Sequence, residues 1–340
     1  MELRTTFNIE PSPIKITYND PVLFIGSCFA TSIGRKFEAG HLPVMINPSG
    51  TVYNPVSVCN TLDTINRRTL YNKRDLFNYE GTWLSFNHYT DFSSVHPVKL
   101  LEKINNRTRE AHAFLKTAKF LFITFGTSRV FRWKQTGQIV SNCHKIPAAY
   151  FTHELLTVND IVTLWNDQLD KLQVLYPHLK IVFTISPVRH WKDGAHGNQV
   201  SKAILFLATE ELLKHSIRPM YFPAYELVID DLRDYRFYDD DMLHTSGSAI
   251  DYIWNAFSDC YFDKSTTGLW KEIVRITRAV SHRLQTDSGE GIRRFAEKTL
   301  AQIDAVSKKI PALDLSNERK YFLGLIKQKR NPQKEKSGSA

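Results

Sequence analysis

The chain has 340 residues, 42% of them hydrophobic, which is enough to bury a sizeable core. Its formal net charge of +9 belongs to the C-terminal part, because residues 264–340 hold 17 Lys and Arg against 8 Asp and Glu, which leaves 27 of each sign in residues 1–263. The neutral larger part therefore gives no reason to expect a nucleic-acid partner. The four cysteines lack C-x-x-C spacing, so neither a zinc site nor a disulfide framework is indicated, and no metal or organic cofactor is expected.

The sequence has no stretch typical of a signal peptide near its start, since its first residues are polar and its first apolar run is only as long as a strand. Apolar runs also stay well short of the roughly 18 residues that a membrane span requires. We therefore expect a cytoplasmic protein without a membrane span.

The first predicted elements are a strand, a tight turn and a helix. Val22–Ile25 is a short apolar run typical of a buried strand, and Phe29, Ile33 and Phe37 recur at helical spacing. Ser27 lies between them, where a hydroxyl is exposed beside the positive end of a helix dipole. Such a serine is either a nucleophile or simply the N-cap of the helix.

Further apolar runs alternate with amphipathic patterns along the chain. Strands are predicted at Leu42–Asn47, Phe120–Phe125, Lys180–Ile185 and Met220–Phe222. Helices are predicted at 56–66, 97–116, 158–176, 199–214 and 246–262. Strands separated by helices predict a parallel sheet, and ligands of such sheets bind at the carboxyl ends of the strands.

Several chemically capable residues directly follow these strands. Gly50 could present its bare N–H to a ligand or could serve only in a turn. The others are Gly126 to Ser128, Arg189 and His190. Arg189 and His190 are candidates for binding a substrate anion, with His190 an alternative base; a strand-end ion pair is the simpler interpretation.

Two aromatic-rich insertions interrupt the alternating pattern, at residues 70–95 and from Val130 to Val140, and both resemble hairpins. Insertions at the rim of a sheet often shape pockets. Four of the aromatic residues in and near them could stack on sugar rings, although cap and core packing is the simpler interpretation for each: Trp83, Tyr89, Trp133 and Trp191.

A partner for Ser27 follows the fifth strand. Asp241 and His244 are three residues apart, so their side chains can lie on the same side of one turn. A carboxylate there can hold one imidazole nitrogen and leave the other facing a serine. An acidic loop with an incidental histidine is the alternative.

Taken together, these blocks resemble the SGNH (GDSL-type) hydrolase superfamily and, within it, the GSCFA family. The pentapeptide for which that family is named is present as residues 26–30, and the resemblance covers roughly residues 20–262. It includes Asn47-Pro48-Ser49-Gly50, Phe125-Gly126-Thr127-Ser128, Asn142-Cys143-His144-Lys145-Ile146-Pro147 and Ser186-Pro187-Val188-Arg189-His190. The resemblance implies an α/β fold with a three-layer, flavodoxin-like parallel sheet.

The resemblance also implies roles for individual residues. Ser27 would be the nucleophile, His244 the general base and Asp241 its orienting carboxylate, while the N–H groups of Ser27 and Gly50 would donate to the oxyanion. The superfamily's third block is G-x-N-D, and this chain places Ser128 where that asparagine is expected and Arg129 where the aspartate is. Ser128 could donate one hydrogen bond in its place, and Asn47 or Asn142 could substitute.

Three functional hypotheses follow. The first is a serine esterase or acyltransferase that acts through an acyl-Ser27 intermediate, with a carbohydrate or O-acetyl ester as the small-molecule substrate. The second is a binding or scaffold protein on the same fold, with a weak oxyanion hole and no turnover. The third uses Cys28 as the nucleophile or redox thiol, because it too lies at a helix N-terminus.

The domain organisation predicted from the sequence has three parts. Residues 1–263 form the α/β domain, residues 264–328 a basic helical extension, and residues 329–340 a disordered tail. The basic helices are interpreted as a solvated face, with self-association or an anionic partner as alternatives.

Overall fold

The computed structural model describes residues 5–281 and 289–328. The fold is mixed α/β, with a central five-stranded parallel sheet and a helical C-terminal region. The strands are β1 (Val22–Gly26), β2 (Val44–Ile46), β3 (Phe77–Tyr79), β4 (Thr82–Leu84), β5 (Phe120–Phe125), β6 (Arg129–Trp133), β7 (Ile139–Val140), β8 (Phe151–Leu155), β9 (Lys180–Ile185) and β10 (Met220–Tyr221). The helices are α1 (Cys28–Ala39), α2 (Pro55–Arg67), α3 (Pro97–Thr117), α4 (Val158–Leu175), α5 (Gly194–Leu212), α6 (Ala224–Glu226), α7 (Gly247–Tyr261), α8 (Lys264–Val280), α9 (Gly289–Lys309) and α10 (Ser316–Gln328).

The central sheet has the strand order β10-β9-β5-β1-β2, and its strands run parallel. Its centre is formed by β1, β5 and β9, with Val22 paired to Phe120 and Phe120 paired to Lys180. Every residue of β1 and β5 is buried, which explains their continuous apolar sequences, because a parallel strand is covered on both faces. The predicted parallel sheet is confirmed.

Side chains on opposite faces of the sheet pack against different helices. Leu23 belongs to a large buried cluster that includes Trp165 of α4 and Leu205 of α5. On the other face, the ring of Phe122 lies 4.9 Å from that of Phe24 and 5.1 Å from that of Phe257 of α7. This division follows from the alternation of side chains along each strand.

Both insertions contain the predicted antiparallel pairs. One is the β3–β4 hairpin, and in the other β6 pairs with β7. A third strand, β8, pairs with the opposite edge of β6 and was not predicted, because its sequence Phe-Thr-His-Glu-Leu is largely exposed and shows no apolar run. The prediction for α5 was also wrong at its start, which lies at Gly194 rather than Gln199, because two glycines and a histidine weaken the helical pattern there.

The chain divides into two compact units. Within the described residues, the first contains 5–12, 20–35 and 44–260, and the second contains 13–19, 36–43, 261–281 and 289–328. The second unit has its own buried cluster, which includes Ile273, Ala296, Ile303 and Phe322 from α8, α9 and α10. The predicted C-terminal helices are therefore present. The tail predicted at residues 329–340 lies outside the described residues.

A search of the described residues finds no helix that is both long and apolar enough to cross a bilayer.

Candidate active site

Ser27 occupies the single position between β1 and α1. Gly26 before it has φ of +145°, and a Cβ at this position would lie 2.2 Å from the carbonyl oxygen of Thr124 on β5, so only glycine permits this close approach. The Ser27 hydroxyl accepts a hydrogen bond of 3.3 Å from the N–H of Phe29. The residue is only 2% exposed. Ser27 therefore caps α1 from a position at the carboxyl end of the sheet.

Asn47 fixes the backbone of this turn. Its side-chain oxygen accepts a 2.8 Å hydrogen bond from the N–H of Gly26, and its amide nitrogen donates to the Thr31 hydroxyl at 2.9 Å. Both polar ends of this buried side chain are thus used to join β1, α1 and the residue after β2. The geometry assigns Asn47 to holding the Ser27 turn.

Asp241 and His244 form a directly bonded pair in the loop before α7. The His244 ring nitrogen Nδ1 lies 2.5 Å from a carboxylate oxygen of Asp241. The other oxygen accepts from the N–H groups of His244 and Leu243, both at 2.9 Å. These contacts, first that with the His244 N–H, lower the pKa of Asp241 to about 2, so the carboxylate is ionised at neutral pH.

Electrostatic interactions place this pair at the same end of the sheet as Ser27. The Asp241 carboxylate acts on the thiol of Cys28, the residue next to Ser27, and His244 acts on His190 in the loop after β9. Such interactions are largely screened beyond about 8 Å at physiological salt. The structure thus places the Asp241–His244 pair near the residue that follows Ser27, and no hydrogen bond joins His244 to Ser27 among the described residues.

His190 lies among the strand-end loops. A Cβ at Gly126 would be 3.3 Å from His190 Nε2, and the His190 N–H donates to the side-chain oxygen of Asn198 at 3.0 Å. Burial, followed by the positive charges of Lys202 and His244, lowers the pKa of His190 to about 4. At neutral pH His190 is therefore an uncharged imidazole, which argues against its predicted role as a cation for a substrate anion.

The oxyanion donors predicted from the sequence are mostly engaged within the protein. The N–H of Ser27 donates to Thr124 O at 3.2 Å, and the N–H of Gly50 donates to Asn47 O at 2.8 Å. Ser128 is fully buried, and its hydroxyl donates to the carbonyl oxygen of Ser201 at 3.1 Å. In this structure none of these three groups is directed at a ligand.

Asn142 is the predicted donor that retains free capacity. Its side-chain oxygen accepts a 2.7 Å hydrogen bond from the N–H of His144, which fixes the orientation of the side chain. Its amide nitrogen makes no hydrogen bond to any of the described residues. Cys143, next in the chain, acts electrostatically on Tyr53, whose ring lies 5.8 Å from that of His190. Asn142 therefore has an unused donor, and its neighbour Cys143 acts on a ring that contacts His190.

Lys202 is the site residue that sequence reasoning missed. Its side chain on α5 is fully buried, and its Nζ donates to Gly126 O at 2.7 Å and to Ser186 O at 2.6 Å. Burial lowers the pKa of Lys202 to about 7. Residues 198, 201, 202 and 205 share one face of α5 and are all buried, but three of the four are polar, so the sequence does not mark this face as buried.

The thiol of Cys28 does not have the low pKa of a reactive cysteine. Burial raises its pKa, and this effect exceeds the lowering by the N–H of Phe29 and by the charge of Lys202. The thiol is therefore protonated at neutral pH, which disfavours the hypothesis of a Cys28 nucleophile.

The predicted aromatic residues divide between core and rim. Trp133 is buried in a cluster with Leu84 and Phe151, so it serves packing. Trp191 is 48% exposed, and the guanidinium carbon of Arg189 lies 4.4 Å from its ring centroid. No ion pair of Arg189 is found with any of the described residues, so the stacked arginine retains its hydrogen-bond donors. Trp83 and Tyr89 are half-buried.

No metal-binding group of three His, Cys, Asp or Glu was found in the described part of the chain.

Comparisons with known proteins bear on the whole chain. A comparison with curated proteins finds no match. Among solved structures, one similar chain is a protein from Streptococcus pneumonia that is provisionally named a platelet activating factor. It is 14% identical in sequence, and the TM-score is 0.35. The match covers 71% of this chain and 83% of that chain. Residues 21–257 match the GSCFA family, and residues 273–328 match the C-terminal domain of GSCFA domain proteins. The chain belongs to the GSCFA family.

Proposed function

We propose that the protein is a serine-dependent ester hydrolase or acyltransferase of the SGNH type, with a three-layer, flavodoxin-like fold. The observation that supports this most directly is the Asp241–His244 pair, which lies at the same end of the sheet as a serine in a strand-to-helix turn. The burial of opposite sheet faces against different helices supports the layered arrangement.

The proposed reaction begins with proton transfer. Nε2 of His244 takes the hydroxyl proton of Ser27 as Oγ bonds to the ester carbonyl carbon, and the carbonyl oxygen becomes an oxyanion. The intermediate collapses to acyl-Ser27, and the departing alcohol takes the proton from His244. Water or an acceptor hydroxyl then attacks the acyl group in the same way. Asp241 stays ionised throughout and holds the Nδ1–H of His244.

The oxyanion requires donors, and Asn142 is the one we assign. Its amide nitrogen is unused within the described residues, whereas Ser128, Gly50 and the N–H of Ser27 donate to protein oxygens. The positive end of α1, a helix of 12 residues, lies behind Ser27 and adds a favourable potential.

The substrate is proposed to be an O-acetyl ester or a carbohydrate ester. The exposed ring of Trp191 with Arg189 stacked on it offers a surface for a sugar, with guanidinium donors for hydroxyl or carboxylate groups. Trp133 is excluded from this role by its burial.

Hydrolysis of an aryl acetate by the purified protein tests this proposal. The wild type should turn over, and Ser27→Ala should not. Ser32→Ala is the matched control, because Ser32 lies one turn further along α1 and its hydroxyl only bonds to the Cys28 carbonyl. Equal turnover by Ser27→Ala and the wild type would refute the role of Ser27.

A second candidate function is a binding or scaffold protein without turnover. Two observations favour it: Ser27 is 2% exposed with its hydroxyl in a capping bond, and the backbone donors beside it are already paired. A folded wild type that hydrolyses no ester would support this candidate over the first.

A further inference from the structure

One face of α5 holds both of the loops that border the candidate site. Ser201 contacts the loop after β5, with its hydroxyl 2.9 Å from that of Thr127 and accepting from the N–H of Ser128 at 2.8 Å. Asn198 accepts from the N–H of His190 in the loop after β9. Lys202, between these contacts, reaches both loops at once.

The Lys202 ammonium joins the ends of two neighbouring strands. Gly126 is the residue after β5 and Ser186 the residue after β9, and β5 and β9 are adjacent in the sheet. The two hydrogen bonds, 2.7 and 2.6 Å, lie in a fully buried setting, where hydrogen bonds are strong, and they are charge-assisted when Lys202 is protonated. Lys202 thus links the two loops through a side chain, in addition to the backbone hydrogen bond from the Ser186 N–H to Phe125 O.

The charge of Lys202 also acts on its surroundings. The groups that face it are the thiol of Cys28 on α1, the imidazole of His190, and the ring of Tyr225, whose centroid lies 5.7 Å from Nζ. His190 in turn feels the charge of His244. A second imidazolium beside His244 would oppose the one that forms there during proton transfer, so an uncharged His190 favours the reaction.

We propose that Lys202 is a positioning residue of the site: its side chain ties the loop after β5 to the loop after β9, beside the His190 imidazole. The loss of kcat expected on replacing Lys202 rests on the proposed acyl-transfer function. The effect of the Lys202 charge on the pKa of His190 does not rest on that function, so the two expectations can fail separately.

The test combines NMR titration of histidine-labelled protein with ester kinetics. In the wild type, the His190 pKa is expected at about 4. In Lys202→Met it should rise part of the way toward the ordinary value of 6.5, because burial, the larger cause of the lowering, remains. The value of kcat should fall about 10- to 100-fold with little change in KM, since misplaced loops act on the reacting geometry. Lys202→Arg keeps the charge and should keep the His190 pKa low.

Two controls separate charge from packing. Ser201→Ala removes the contacts to Thr127 and Ser128 but leaves the charge, so it should lower kcat without moving the His190 pKa. Lys214→Met removes an exposed lysine and should change neither quantity.

The proposal is overturned if the His190 pKa is the same in Lys202→Met and the wild type, or if it lies near 6.5 in the wild type itself. If Lys202→Met does not fold, Lys202→Arg takes its place in the test. A His190 pKa near 6.5 in Lys202→Arg would overturn the proposal, and a His190 pKa that stays low would support it. A wild type without esterase activity, but with the His190 shift in Lys202→Met, would refute the proposed function while leaving the electrostatic role of Lys202 intact.

Discussion

Replacing Asn47 by alanine should destabilise the protein through the Ser27 turn. The change leaves the buried N–H of Gly26 without its acceptor, which costs about 1–3 kcal/mol, and removes the bond to Thr31, worth about 0.5–1.5 kcal/mol. Asn47 also has φ of +40°, a left-handed conformation that alanine adopts at a cost of about 1–2 kcal/mol. Together these terms lower the free energy of unfolding by about 2.5–6.5 kcal/mol.

Thermal unfolding followed by circular dichroism measures this effect. Large domains lose about 2–4 °C of Tm for each kcal/mol, so Asn47→Ala should melt at least about 5 °C below the wild type. Asn47→Asp is the matched control, because it keeps an acceptor for the Gly26 N–H and tolerates the left-handed conformation, and it should lose less than half as much. If Asn47→Ala melts within about 1 °C of the wild type, the assignment of Asn47 to the turn is wrong.

Three further predictions concern the site and its pH dependence. Asp241→Asn presents an amide to the Nδ1–H of His244, so kcat should fall by about 10²- to 10⁴-fold while circular dichroism stays unchanged; retained kcat would contradict the orienting role. Asn142→Ala should lower kcat about 100-fold with KM little changed if its amide binds the oxyanion, whereas an equal rise in KM alone would indicate ground-state binding. Burial lowers the pKa of His88 to about 3, so the unfolded chain takes up a proton below pH 6.5 that the folded protein does not. Stability should therefore fall as the pH drops from about 6.5 toward 3, by up to about 1.4 kcal/mol per pH unit for this group, and urea unfolding of His88→Gln should show a shallower decline.

The sheet was predictable because its strands are buried on both faces. Such strands have continuous apolar sequences, as in Phe120–Phe125, and amphipathic helices separate them. The start of α4 at Val158 also agrees with the helix predicted at 158–176, and Thr157 and Asp160 form a capping box there. β8 was missed because an edge strand with exposed side chains resembles a loop in sequence.

The candidate site was predictable only in part. The turn at Ser27 and the spacing of Asp241 and His244 are local features, so a sequence contains them. The acceptor of a backbone N–H is not a local feature. The residue type of Gly50 does not reveal that its N–H donates to Asn47 O. Lys202 was missed for a related reason, because lysines are almost never fully buried unless tertiary contacts pair them, as Gly126 and Ser186 do here.

Covalent labelling tests the central claim of an acyl-serine mechanism most directly. The purified protein would be treated with a serine-directed fluorophosphonate and digested, and the modified peptide identified by mass spectrometry. The account predicts one adduct, on Ser27, which is absent from Ser27→Ala and forms more slowly in His244→Ala. A folded wild type that takes up no label, or takes it up on another residue, would contradict the account.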